Sequence, residues 1–188
     1  AKRPIQRIPC LEINQVIGQK QAKRALEIAA CGGHHMLLYG PPGTGKSMLA
    51  ARLPGILPSM TNKEALAVAC VHSIAQKKTN ENLLQRPFRS PHHSASATAI
   101  VGGGSSPQPG EISLAHEGIL FLDELPEFKT DVLDSLRQPL ETGDVVISRA
   151  ERRITYPARF QLIAAMNPCK CGYLGDEARE CHKAPTCG

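Results

Sequence analysis

Apolar residues along this chain fall either at helical spacing or in short unbroken runs, and glycine, proline and serine separate them. Between residues 19 and 30, Ala22, Ala25, Leu26 and Ala29 recur as on one helix face, and Gly32-Gly33 ends that helix. Met36-Leu37-Leu38-Tyr39 predicts a short buried strand, with a helix over 47–53 behind it. Residues 61–85 predict a further helix, with Leu66 and Val68 among small residues. Gly118-Ile119-Leu120-Phe121-Leu122 has the continuous apolar pattern of a strand buried on both faces of a parallel sheet. Val132, Leu133, Leu136 and Leu140 share one face of a helix over 129–140, and Gly143 stands where a C-cap glycine belongs. Residues 145–149 and 154–156 flank a polar turn and predict a β-hairpin; 160–166 predicts another buried strand. Strands alternating with helices make this an α/β chain with a parallel sheet flanked by helices. Two segments lie outside that alternation. Residues 1–15, with Ile5, Ile8, Leu11, Ile13 and two prolines, read as an arm over the domain. Residues 85–110, rich in proline and serine and carrying Gly102-Gly103-Gly104, read as an inserted loop or hairpin.

Chemistry enters between the first strand and its helix. Gly40-Pro41-Pro42-Gly43-Thr44-Gly45-Lys46-Ser47 fits G-x-x-x-x-G-K-[ST] in the strand–loop–helix setting a phosphate-binding loop requires. Its glycines let backbone N–H groups turn inward around a phosphate chain, and a helix N-terminus adds partial positive charge. Lys46 would reach the β- and γ-phosphates of ATP, and the Ser47 hydroxyl would ligate Mg²⁺. Asp123 and Glu124 follow the buried strand directly: the first would hold Mg²⁺ through its shell, the second would take the proton of the attacking water. Asn167, at the tip of the strand over 160–166, would orient that water or the γ-phosphate; taken without the other motifs it fits a plain turn before Pro168.

Charge narrows the partners only slightly. The 22 Lys and Arg exceed the 17 Asp and Glu, for a net +5 that permits an anionic partner without requiring one. No Trp, three Tyr and four Phe argue against a single-strand binder built on aromatic stacking. DNA contacts would run through cations to phosphates, with Arg149, Arg152 and Arg153 near the hairpin tip as candidates. No apolar run approaches a membrane span and no signal-peptide pattern opens the chain, so the expected setting is cytoplasmic, without a membrane partner. The 188 residues suffice for one α/β domain and a small appendage. An opening Ala1 and an end at Cys187-Gly188, just after a cysteine, read as a piece of a longer protein.

Of seven cysteines, Cys10, Cys31 and Cys70 sit in apolar settings and read as small core residues. Cys169, Cys171, Cys181 and Cys187 form C-x-C-x₉-C-x₅-C in a polar tail too poor in apolar residues to fold alone. An ATPase belongs in a reducing compartment, which favours Zn²⁺ over disulfides; His182 is the alternative fourth ligand, with Cys187 the least secure of the four. His92-His93 reads either as a loop that reports on nucleotide or a polyanion, or as a merely polar loop.

Together these residues resemble the Mg-chelatase-like branch of the AAA+ ATPases, most closely the ComM/YifB family. The likeness runs through GPPGTGKS at 40–47, RPFRSPHH at 86–93, GGG at 102–104, PGEISLAHEGILFLDELPEF at 109–128, LRQPLE at 136–141, ISRA at 147–150 and PARFQLIAAMNPCKCGY at 157–173. The resemblance implies an AAA+ core over 1–168, with a helix-2 insert at about 85–110, a hairpin at about 143–157 before the sensor strand, and Asn167 as the sensor-1 residue. Residues 169–188 form the cysteine segment. It further implies hexameric rings with ATP between subunits and DNA branch migration during natural transformation. Family members continue into an arginine-finger segment and a helical lid, and carry a protease-like domain in front; none of these falls within the 188 residues, which alone should be a slow motor. Two other functions remain open. The same architecture serves an ATP-driven protein-remodelling motor such as that of magnesium chelatase. A nucleotide-gated assembly scaffold is the other, against which Glu124 speaks, since a pure switch needs no positioned base.

Overall fold

A computed structural model of the chain describes residues 11–75, 84–104, 107–149, 152–174, 179, 181 and 187. A 3₁₀ turn at Ile13–Gln15 leads into α1 (Lys20–Gly32), β1 (Met36–Tyr39), α2 (Lys46–Ala50), α3 (Leu53–Ile56) and α4 (Asn62–Ile74). Then come β2 (Phe88–Arg89), α5 (Ala97–Val101), β3 (Gly102–Gly103), β4 (Gln108–Pro109), α6 (Glu111–Leu114) and β5 (Gly118–Leu122). A second 3₁₀ turn at Leu125–Glu127 precedes α7 (Thr130–Ser135), α8 (Arg137–Thr142), β6 (Asp144–Arg149), β7 (Arg152–Pro157) and β8 (Phe160–Met166).

Four strands form a parallel sheet in the order β1-β8-β5-β2. Alternate residues of a strand face opposite ways, and β5 and β8 use both faces. Ile119 and Phe121 of β5, with Ile163 and Ala165 of β8, join Val16, Leu26, Leu49 and Leu53 in one apolar cluster. Leu120 and Leu122, with Ala164, join Ile112, Phe128, Val132, Val145 and Tyr156 in a second. β5 is buried at all five positions. β1 differs from expectation: it is a sheet edge among the described residues, and Leu37 and Tyr39 are 50% and 61% exposed.

Proline accounts for two further departures. The helix expected over 47–53 stops at Ala50, and α3 restarts with Pro54 in its first turn. The helix expected over 129–140 is two, broken at Leu136: Pro139 has no N–H for the Ser135 carbonyl, and the Ser135 hydroxyl donates to Val132 O at 2.6 Å. Gly143 does cap α8 in the left-handed region, at φ 75°. The helix expected over 61–85 ends at Ile74, and 76–83 lie outside the described residues, as do 1–10 of the expected arm.

Residues 85–110 divide rather than form a single insertion. Phe88–Arg89 belongs to the main sheet, parallel to Ile119 and Leu120, while β3 and β4 pair as a minimal antiparallel ribbon. β6 and β7 form the expected hairpin, anchored by buried Val145, Ile147 and Tyr156 and by a bond from Tyr156 Oη to Pro107 O at 2.9 Å. Among the described residues no helix is long and apolar enough to cross a membrane. The C-terminal ends of β1, β5 and β8, side by side, deliver Gly40, Asp123 and Asn167 to one edge of the sheet.

Candidate functional site

The loop after β1 turns through two left-handed positions, Gly43 at φ 78° and Gly45 at φ 81°, which a side chain would strain. Thr44 Oγ1 donates back to Pro41 O at 2.9 Å, and Gln19 Nε2 donates to Thr44 O at 3.2 Å, so the loop is tied internally and to α1. α2 begins at Lys46 and has only five residues, so the cradle rests on the turned loop more than on a long helix dipole. Lys46 Nζ donates to Gly40 O at 2.7 Å, Pro41 O at 2.8 Å and Asn167 Oδ1 at 3.0 Å. Burial lowers its pKa, against the opposing pull of Asp123.

Across the cavity, Ser47 Oγ donates to Asp123 Oδ2 at 2.5 Å, while Asp123 Oδ1 accepts from the Glu124 N–H at 3.0 Å. Pro42, Gly43, Gly45, Lys46, Ser47, Asp123, Glu124 and Asn167 line one cavity of about 360 Å³. A hydroxyl beside a carboxylate is the hard-oxygen pair that Mg²⁺ takes, and an ammonium hydrogen-bonded to neutral oxygens suits a phosphate oxygen. The residues present therefore fit a Mg²⁺–nucleotide. Of the candidate loop residues, Gly40, Pro41 and Thr44 do not line the cavity; the carbonyls of Gly40 and Pro41 accept from Lys46, and Thr44 ties the loop to Pro41.

One neighbour was left open by the sequence. His93 Nδ1 lies 3.1 Å from Glu124 Oε2, its ring edge-on to Phe128 with centroids 6.5 Å apart and beside His92 at 4.1 Å. Glu124 itself is left-handed, at φ 55°. The loop bearing His93 leaves β2 directly after Arg89, whose guanidinium makes a paired contact with Glu111 at 2.5 and 2.8 Å. A two-residue strand in proline-rich surroundings hid that placement, which rests on the pairing of β2 with β5.

The sulfurs of Cys169, Cys171, Cys181 and Cys187 all lie within 4.8 Å of one another, three of them on buried residues. The edges of a tetrahedral Zn–S₄ site are about 3.8 Å, from bonds of about 2.3 Å. Burial resists ionisation of Cys169, but donation from Cys171 and from the N–H groups of Leu174, Gly172 and Tyr173 brings its pKa down to about 6. For Cys171 the Tyr173 N–H favours the thiolate, yet Cys169, Cys181, burial and Cys187 push it up to about 12. Gly172 N donates to Cys169 O at 2.9 Å and Lys170 N to Cys187 O at 3.2 Å, folding the segment into a knuckle. Cys31 and Cys70, on α1 and α4, are exposed, which corrects the expectation of core residues. Cys10 and His182 lie outside the described residues. At the hairpin end, register sets Arg149 opposite Arg152 and Arg153 opposite Ser148, with Arg153 exposed. The side chains of Arg149 and Arg152 are outside the described set.

A profile of the family described as magnesium chelatase, subunit ChlI, matches residues 12–188. Competence protein ComM of Haemophilus influenzae is 62% identical over 171 residues, 90% of this chain and 34% of that protein. YifB of Salmonella typhimurium is 60% identical over 176 residues, 93% of this chain and 35% of that protein. The chain thus spans about a third of the length of these curated relatives. Among solved structures, a chain of the magnesium chelatase BchI–BchD complex, from cryo-electron microscopy, superposes with a TM-score of 0.65 at 23% identity, a likeness of fold covering 86% of this chain and 56% of that one.

Proposed function

Since the chain belongs to the magnesium chelatase ChlI family, we propose that it is the ATP-hydrolysing core of an AAA+ motor, acting in the longer protein as a hexameric DNA branch-migration translocase. The observation that carries the ATPase reading is the meeting of Lys46, Ser47, Asp123, Glu124 and Asn167 on one cavity. Lys46 exchanges neutral oxygens for charged phosphate oxygens, a stronger, charge-assisted bond. Ser47 and Asp123 hold Mg²⁺, which when bound neutralises charge on the phosphates. Glu124 Oε accepts the proton of the water that adds to the γ-phosphorus as the bond to the ADP oxygen breaks. Asn167 fixes Lys46 and the reacting end, and His93 holds the Glu124 carboxylate in place. Residues 1–168 make up this core; in the segment 169–188, Cys169, Cys171, Cys181 and Cys187 hold one structural Zn²⁺.

DNA as the substrate is supported by the 62% identity to a competence protein, the net +5 charge and the arginines around the hairpin turn. The second reading, ATP-driven protein remodelling, is supported by the family profile itself. An ATPase assay on the full-length protein, with and without branched DNA, separates them. Stimulation by DNA is expected. Basal hydrolysis that DNA leaves unchanged would turn the reading to protein remodelling, and nucleotide binding with no turnover under any condition would leave only a scaffold.

A further inference from the structure

The cysteine knuckle does more than terminate the domain. We infer that it braces the phosphate-binding loop, so that Zn²⁺ at the four thiols and nucleotide at Lys46 each strengthen the binding of the other; this rests on the zinc reading above.

Two contacts join the sites. Gly172 is left-handed at φ 87°, and a Cβ placed on it would stand 2.9 Å from Pro42 Cγ and closer still to Cδ. The knuckle backbone at Gly172 therefore lies against the Pro42 ring, too close for a side chain between them. Pro42 lines the nucleotide cavity along with Lys46 and Asn167. The second link is covalent. Cys169 follows Asn167 by way of Pro168, whose ring restricts the backbone, and Asn167 Oδ1 accepts the Lys46 ammonium at 3.0 Å. The knuckle thus meets the loop at Pro42 and, through Asn167, at Lys46.

What orders the knuckle is equally visible. Among the described residues, its buried cluster consists of Cys169, Cys181 and Cys187, with no larger apolar side chain packed among them. Three sulfurs bury too little surface to offset the ordering entropy of the backbone around them. Bonds from thiolates to Zn²⁺ supply what burial does not, as in small metal-dependent modules. Metal binding then presses a rigid knuckle on Pro42 and removes conformational freedom from the loop before nucleotide arrives. A loop already ordered loses less entropy on binding phosphate. Coupling of this kind is reciprocal, so nucleotide must raise zinc affinity by the same factor.

The test uses the full-length protein purified without chelator. Elemental analysis should give one zinc per chain. Affinity for a non-hydrolysable ATP analogue, by calorimetry, should fall about tenfold when zinc is stripped, within the roughly 5–150-fold range of typical couplings, and recover when zinc is restored. Competition with a chromogenic chelator should show zinc held about tenfold more tightly when the analogue saturates the protein. Gly172→Ala is the separating variant, because its four thiols remain while its Cβ displaces Pro42: it should keep its zinc and still lose affinity for the analogue. A zinc-loaded protein whose nucleotide affinity is unchanged both by stripping and by Gly172→Ala overturns the brace and leaves the metal site standing. Should stripping unfold the whole protein, zinc-loaded Gly172→Ala with parental affinity overturns the brace by itself. Absence of zinc, with four freely titratable thiols, overturns the metal reading and the brace with it.

Discussion

Lys46 and Glu124 face the same cavity, and substitution should separate their work. Lys46→Ala removes a charge-assisted phosphate contact, a loss on the order of 1.5–3 kcal/mol in nucleotide affinity by calorimetry. Equal affinity in variant and parent would contradict the assignment of the loop. Glu124→Gln in the full-length protein should bind Mg²⁺–ATP at near-parental affinity and hydrolyse it barely at all, because Ser47 and Asp123 still hold the ion while the proton acceptor is gone. Loss of binding along with turnover would make Glu124 a structural residue. The placement of both side chains was legible because it follows from local spacing: a lysine after a turned glycine loop, an acid at the end of a buried strand. His93 was not. Its approach to Glu124 depends on β2 lying beside β5, and nothing local to His92-His93 states which strand is the neighbour. The exposure of Cys31 and Cys70 was equally hidden, since a cysteine among alanines reads the same on either face of a helix.

α4 shows what an element takes from its first turn. Thr61 caps it, with Glu64 Oε2 accepting the Thr61 N–H at 2.6 Å and Thr61 Oγ1 accepting the Glu64 N–H at 3.3 Å. Thr61→Ala should cost about 1 kcal/mol, a fall of about 2–4 °C in Tm for a chain of this size, by scanning calorimetry. An unchanged Tm would mean that packing alone holds the helix start. The Thr61 N–H, then its hydroxyl, hold the Glu64 pKa down to about 2 against burial, with Arg86 adding to the effect. Its folded value lies below its ordinary one, so its stabilisation is complete above about pH 4.5 and is lost as pH falls toward 2. Glu64→Gln should therefore flatten that part of the acid-unfolding limb, followed by circular dichroism. Long periodic elements were legible at this scale; breaks were less so. Apolar residues continue in phase across Leu136, so the pattern reads as one helix, although Pro139 was in view as the cause of the break.

Across the whole molecule, DNA binding through arginines should depend on salt. Contacts through arginine to phosphates release counterions, so the logarithm of DNA affinity should fall linearly with that of salt concentration. Replacing Arg149, Arg152 or Arg153 by Ala should lower the slope by about one each, with little change in sequence preference. Affinity indifferent to salt would remove the phosphate backbone as the ligand. At this scale the sequence alone determined the fold class, the phosphate loop, the acids at a strand end and the cysteine group, because each is a constraint within a few neighbouring residues. The strand order β1-β8-β5-β2, the exposed edge of β1, the seat of His93 on Glu124 and the contact of Gly172 with Pro42 were decided only by tertiary structure. Those are meetings of residues far apart in the chain, and their partners are selected by how the apolar clusters on the two sheet faces pack, which no local pattern encodes.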